Sequence, residues 1–309
     1  MFLKEQVYIC TIAETGSISR AAERLYISQP ALSAYLRNVE DTLGIPLFVR
    51  SGKRCTPTLI GEKYIKNARQ MIALQDDFNL DLALTVKGVL GRIRIGTQTR
   101  RSPILLSPIL RFFWENYPGI EVNFEESNAK GLLAMLDERK VDIIIFTATE
   151  RLPELSYLDI YPEELLLATP LDHPARKYAK EVLGKQYKSI ELKYFADDMF
   201  FIPHHSQSLR NTCESLFANS NFTPKRIFEV RNIEAIMTLV ADGLGVGFNR
   251  ASYSKHMNQN RVLSKISYYN VPYDSASADF VIAFQKKTQH SEQFISMISN
   301  LRDMLKILP

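Results

Sequence analysis

Cysteine is scarce in this 309-residue sequence, which has only Cys10, Cys55 and Cys213. They are odd in number and widely spaced, which excludes a disulfide framework and gives no C-x-x-C pair for a structural metal, so a reducing cytoplasm is expected. No run of about 18 apolar residues occurs, so no membrane-spanning helix is expected. The first residues lack a basic segment leading into an apolar one, and no secretory leader is expected. Internal repeats and low-complexity tracts are absent. So are the short signatures of common catalytic sites: there is no G-x-S-x-G, no H-E-x-x-H and no G-x-x-x-x-G-K-[ST]. Gly243-Leu-Gly-Val-Gly247 joins a helix end to a strand start, the wrong order for a nucleotide loop. No cofactor and no metal is expected, including at the pair His204-His205. What is present is ordinary globular composition, 46% hydrophobic and 23% charged, which excludes a disordered chain. The net charge of +4 is too small to prove a nucleic-acid partner, so the placement of charge decides more.

The length suits two domains at roughly 150 residues each. Residues 1–60 show three short helical patterns. The third has Ser28 as its cap, Pro30 in its first turn, and Leu32, Leu36, Val39 and Leu43 at helical spacing. Ile45 to Phe48 reads as a short strand and Arg50 to Arg54 as a basic turn. Three helices and a small hairpin form a winged helix-turn-helix pattern. Thr58 to about Lys87 reads as one long helix without proline. Tyr64, Ala68, Met71, Gln75, Phe78 and Leu82 fall on alternating steps of four and three, the spacing of a coiled-coil seam, and predict dimerisation. After Gly91, strand and helix patterns alternate, predicting α/β with a mostly parallel sheet. Strands are expected at 92–97, 120–124, 141–146, 164–168, 199–202, 227–230, 246–248 and 280–284.

Several of these residues carry a resemblance. The run Glu14-Thr-Gly-Ser-Ile-Ser-Arg-Ala-Ala-Glu-Arg-Leu25 is followed by Ser28-Gln-Pro-Ala-Leu-Ser33. Then come Val39-Glu40, Leu43-Gly44, Pro46-Leu-Phe48, Arg50 and Thr58…Gly61. Together they resemble the LysR-type transcriptional regulators. Gly91-Arg-Ile-Arg-Ile-Gly96, Tyr117-Pro118, Val141-Asp142 and Leu239-Val-Ala-Asp-Gly-Leu-Gly-Val246 are similar to the family's effector domain, so the resemblance spans the chain. Asn249-Arg250 stands where the family more usually has an apolar residue and a proline. The resemblance implies a winged helix-turn-helix over 1–60 and a linker helix over 61–89. It implies an effector domain over 90–309, two-lobed like type 2 periplasmic binding proteins. Lobe I is expected at about 90–161 plus 267–309, and lobe II at about 162–266. It further implies a homodimer or a tetramer of two dimers that binds and bends an interrupted palindrome under the control of a small-molecule effector.

The recognition helix offers Ser28, Gln29, Pro30 and Ser33 to base edges in the major groove, with Gln29 suited to a bidentate bond with adenine. Tyr35 and Arg37 suit phosphates, as do Arg50, Lys53 and Arg54 on the wing. Residues 1–60 carry seven cations against five anions, so much of the affinity is expected from two or more heads acting on one DNA. In the second half, Thr99-Arg100-Arg101-Ser102-Pro103 opens a helix, with Ser102 read as its cap. Helix N-termini bind anions. Thr147 follows a strand facing the same crevice, and His205 and Ser206 follow another. The expected effector contacts are Thr99, Arg101, Ser102, Thr147, His205 and Ser206, and the expected effector is a small anion. Two other classes compete: a transport solute-binding protein, and an enzyme on the same two-lobed fold. The first 90 residues count against the former and the missing acid–base and cofactor motifs against the latter.

Overall fold

The computed structural model describes residues 3–52, 54–86, 90–205, 207–257, 263–273, 278–286 and 290–308. Its N-terminal head is built from α1 (Lys4–Thr15), α2 (Ile18–Arg24) and α3 (Gln29–Leu43), then a hairpin of β1 (Phe48–Ser51) and β2 (Arg54–Pro57). The α3 residues Leu32, Leu36 and Val39 are buried with Ile9, Ile12 and Ala21 in one small core. The helix starts where the Ser28 hydroxyl accepts the amide of Ala31 at 3.3 Å and stops at Gly44, whose φ of 69° closes the last turn. The Glu40 carboxylate then accepts the amides of Leu47 (2.7 Å) and Phe48 (3.1 Å). That anchor explains a difference from the sequence reading. Residues 45–47 lead in to the hairpin, and the ladder begins only at Phe48, paired with Pro57.

The long helix is α4 (Leu59–Thr85). The Thr58 hydroxyl accepts the Gly61 amide at 3.0 Å. A Cβ on Gly61 would lie 1.9 Å from the Leu47 carbonyl oxygen, so only glycine lets the helix start this close to the hairpin. Ile65 and Ala68 of α4 complete the head core, while Leu80 joins the core of the following lobe.

That lobe has a five-stranded sheet of order β4-β3-β5-β12-β6. Its strands are β3 (Gly91–Gln98), β4 (Ile120–Ser127), β5 (Ile143–Ala148), β6 (Leu155–Pro162) and β12 (Asp279–Gln285). Its helices are α5 (Ser102–Asn116), α6 (Ala129–Asp137) and the final α10 (Glu292–Ile307). Every residue of β5 is buried. Ile143 and Ile145 pack in the core with α5 and α10, and Ile144 and Phe146 pack with α6, as a strand covered on both faces requires. The other lobe has order β11-β7-β10-β8-β9. Its elements are β7 (Leu165–Pro170), β8 (Met199–Pro203), α7 (Ser208–Asn219), β9 (Arg226–Val230), α8 (Ile233–Ala241), β10 (Val246–Arg250), α9 (Ala251–Met257) and β11 (Ile266–Asn270).

Two expectations are corrected here. Neither sheet is mostly parallel, because each joins two parallel pairs to two antiparallel ones. The antiparallel members arise where the chain crosses between lobes, after β6 and again before β12. The return to the first lobe also comes later than residue 267, since β11 pairs with β7 from Ile266↔Pro170 to Asn270↔Leu166. Among the described residues, no helix is long and apolar enough to cross a membrane.

Candidate functional site

The head exposes the N-terminal end of α3. Ser28, Gln29 and Pro30 are exposed and Ser33 is half-buried. Gln29 Nε2 donates to Ser33 Oγ at 2.9 Å, so the two polar groups hold one another on the free face. Arg37, Arg50 and Arg54 are exposed on α3 and the hairpin. Lys53 lies outside the described residues. Tyr35 is half-buried, its ring edge-on to Tyr8 at 5.0 Å, so much of its surface serves the head.

The expected seam of α4 divides in two. Ala68 is buried in the core of its own head. Tyr64 is half-buried there, and its hydroxyl donates to Glu5. Burial, with that hydrogen bond to a carboxylate, pushes the Tyr64 hydroxyl far above its ordinary range. Leu82 is half-buried. The stripe left open is Met71, Leu74 and Phe78, which are 50%, 63% and 58% exposed. Leu74 replaces Gln75 in the free stripe because Gln75 is half-buried and bonded to Asn79.

The second site is a cavity of about 910 Å³ between the two lobes. From the first lobe it is lined by Thr99, Arg100, Ser127 and Thr147. From the second it is lined by His205, Arg231, Glu234 and Arg250. The C-terminal ends of β3 and β5 and the N-terminus of α8 meet there, where ligands of open α/β folds bind. Arg100 spans the gap. Its Nε donates to Glu234 Oε1 at 2.7 Å and its Nη2 to Asn249 Oδ1 at 3.0 Å. Its guanidinium lies 3.7 Å from the centroid of the Tyr253 ring, a desolvated cation–π arrangement.

Arg250, on the last residue of β10, is the unusual group. It is 3% exposed. Its Nη2 donates to Thr212 Oγ1 at 3.3 Å, and its Nη1 is buried with no hydrogen-bond partner. Among the described residues no carboxylate lies within ion-pair distance of it. Burial, helped by the charge of Arg101, lowers its pKa to about 10, which still leaves it a cation at neutral pH. An unpaired buried cation is costly, and an anion in the adjacent cavity would offset that cost.

The structure separates the expected effector residues. Thr99, Thr147 and His205 line the cavity. Ser206 lies outside the described residues. Arg101 and Ser102 are turned elsewhere. Ser102 is the first residue of α5 rather than its cap, and its hydroxyl donates to the Glu126 carboxylate. That neighbour repels an anion. Arg101 is buried in a contact between the lobes: it pairs with Glu163, donates to Thr147 Oγ1 at 2.9 Å, and packs 3.9 Å from the centroid of the Phe280 ring. Arg231 and Arg250 were missed by the sequence reading. The one available signal was the Asn249-Arg250 pair, standing where apolar–proline is more usual.

Residues 3–62 match the family described as "Bacterial regulatory helix-turn-helix protein, lysR family", and residues 87–306 match "LysR substrate binding domain". The chain belongs to the LysR family. It is a DNA-binding transcriptional regulator with an effector-binding domain, not an enzyme. Among LysR relatives, it is 29% identical over 256 residues to "Uncharacterized HTH-type transcriptional regulator YcgK" of Bacillus subtilis (strain 168), covering 80% of this chain and 79% of that one. Its fold matches that of a full-length OxyR variant from Pseudomonas aeruginosa with a TM-score of 0.74 at 22% identity, covering 100% and 99% of the two chains. It also matches full-length CbnR, solved in complex with its target DNA, with a TM-score of 0.62 at 19% identity, covering 98% and 100%.

Proposed function

We propose that this LysR-family regulator is controlled by a small anion, a carboxylate or a phosphate, held between its lobes. The observation that carries the reading is Arg250, a buried cation with an open N–H beside the cavity and no acidic partner among the described residues. Arg231 and Arg100 add positive charge to the same lining, against Glu234. Thr99 and Thr147 supply hydroxyls from the opposing lobe. Because both lobes contribute, a bound anion bridges them and favours one relative placement.

In the head, Gln29 reads a base by exchanging its bond to Ser33 for a bidentate bond to adenine, and Arg37, Arg50 and Arg54 hold phosphates. Two chains pair through α4 along Met71, Leu74 and Phe78, which sets the spacing of the heads. A dimer, or a tetramer of two dimers, then holds two or more heads on one DNA.

The test is a thermal-shift screen of carboxylates, phosphates, sugars and amines on the full chain, followed by calorimetry of any hit on wild type and Arg250→Gln. A ligand that binds the folded state raises the melting temperature in proportion to ln(1 + [L]/Kd). A hydrogen bond to a charged group contributes about 1.5–3 kcal/mol. Arg250→Gln is therefore expected to weaken an anionic hit by roughly one to two decades. Full affinity in that variant, or a panel in which only neutral or cationic compounds bind, contradicts the reading.

A further inference from the structure

At the rim of the cleft, β8 ends and β9 runs beside it, with Ile202 opposite Glu229 and Pro203 opposite Val230. The pairing continues one residue further, where the His204 amide donates to the Val230 carbonyl at 3.1 Å. Side chains two apart on a strand share a face. His204 therefore stands on the side of the ladder that carries Ile202 and Glu229. His205 follows, its ring centroid 3.8 Å from that of His204. One ligand atom from each of His204, His205 and Glu229 lies within 4.8 Å of the other two.

We propose that His204, His205 and Glu229 form a binding site for one first-row divalent transition-metal ion, of the kind that favours imidazole, such as Zn²⁺. Three donors of this type match zinc sites that keep a position open for water. Donors around a tetrahedral zinc sit about 3.3 Å apart, and Glu229 and His205 are exposed, so small rotations of their side chains close the set.

The surroundings fit as well. Glu229 is held by Arg210, whose Nη1 donates to Oε1 at 2.8 Å. A carboxylate has two oxygens and about four lone-pair directions, so Arg210 orients the group and leaves Oε2 for an ion. Arg210 also donates to the Pro203 carbonyl at 3.2 Å, fixing the strand end that carries both histidines. A bound ion would fasten His204 and His205, just after β8, to β9, at the point where His205 enters the cavity lining.

The experiment is Zn²⁺ titration, by calorimetry and thermal shift, of chelator-stripped full-length protein without any affinity tag. Wild type, His204→Ala and Glu229→Gln are compared, and the melting temperature of each in chelator shows that the variants fold. The expected result is about one equivalent bound by wild type with micromolar affinity, a raised melting temperature, and at least tenfold weaker binding in both variants. Absence of saturable binding in wild type, or undiminished affinity in either folded variant, overturns the proposal.

Discussion

Asp77, where α4 meets the first lobe, has a buried carboxylate oxygen with no partner among the described residues. Burial raises its pKa to about 6. Asp142 and Asp76 push it the same way, and Arg139 and Arg94 oppose them. The folded pKa is above the unfolded value, so the associated stability is fully present at the acid end and is lost as pH rises through about 6. Asp77→Asn should therefore leave stability nearly unchanged at pH 4. It should raise it by about 1 kcal/mol at pH 7.5, well under the full linkage value because part of the group reaches water. Urea melts at the two pH values check this, and an equal effect at both would contradict it. Groups of this kind were not legible in the sequence. Arg250, Glu163 and Glu229 each acquire their meaning from a neighbour far along the chain. A single residue type carries no record of whether its partner is an acid, an aromatic ring or nothing.

Among the elements, those with strong local signals were legible. Ser28 and Gly44 bracket α3, and Thr58 opens α4, close to where capping chemistry places them. The strands β6 and β11 were not read. β6 is half-exposed along much of its length and shows no clean alternation, and β11 is a short polar-aromatic stretch. Both are fixed by pairing with distant strands. Of the expected α4 seam, Tyr64 and Ala68 are used by the head's own core, so only part of that stripe is left free. The free stripe of Met71, Leu74 and Phe78 is the proposed interface. Met71→Asp with Phe78→Asp would place charges in an apolar contact, where unpaired burial costs several kcal/mol. Sedimentation of the full-length double variant should show the dimer lost or its dissociation constant raised at least a hundredfold. An intact dimer at the same concentration would move the interface elsewhere.

For the whole molecule, the winged head and the two-lobed architecture were legible from the motif run over residues 14–61 and from strand–helix alternation. The second crossing is misplaced because β11, a short polar-aromatic stretch, carries no local strand signal and is held in the second lobe by its pairing with the distant β7. The DNA-binding head and the proposed anion site lie in different parts of the chain, joined by α4. Gln29→Ala should weaken a specific site by about 1–3 kcal/mol and hardly affect random DNA. Arg50→Ala should weaken both alike and flatten the salt dependence. Anisotropy titrations at several salt concentrations separate the two behaviours, and equal losses on specific and random DNA for Gln29→Ala would remove its base-reading role.

An anion at Arg250 is proposed to control how the heads engage DNA. The decisive quantity is the dissociation constant for the specific DNA with and without a saturating anionic hit, in wild type and in Arg250→Gln. Coupling of this kind amounts to roughly a 5- to 150-fold change in affinity. Such a change is expected in wild type, with a clearly smaller response in Arg250→Gln at the same anion concentration and equal DNA affinity of the two proteins without anion. An unchanged affinity in wild type, or an equal response in both proteins, would contradict it.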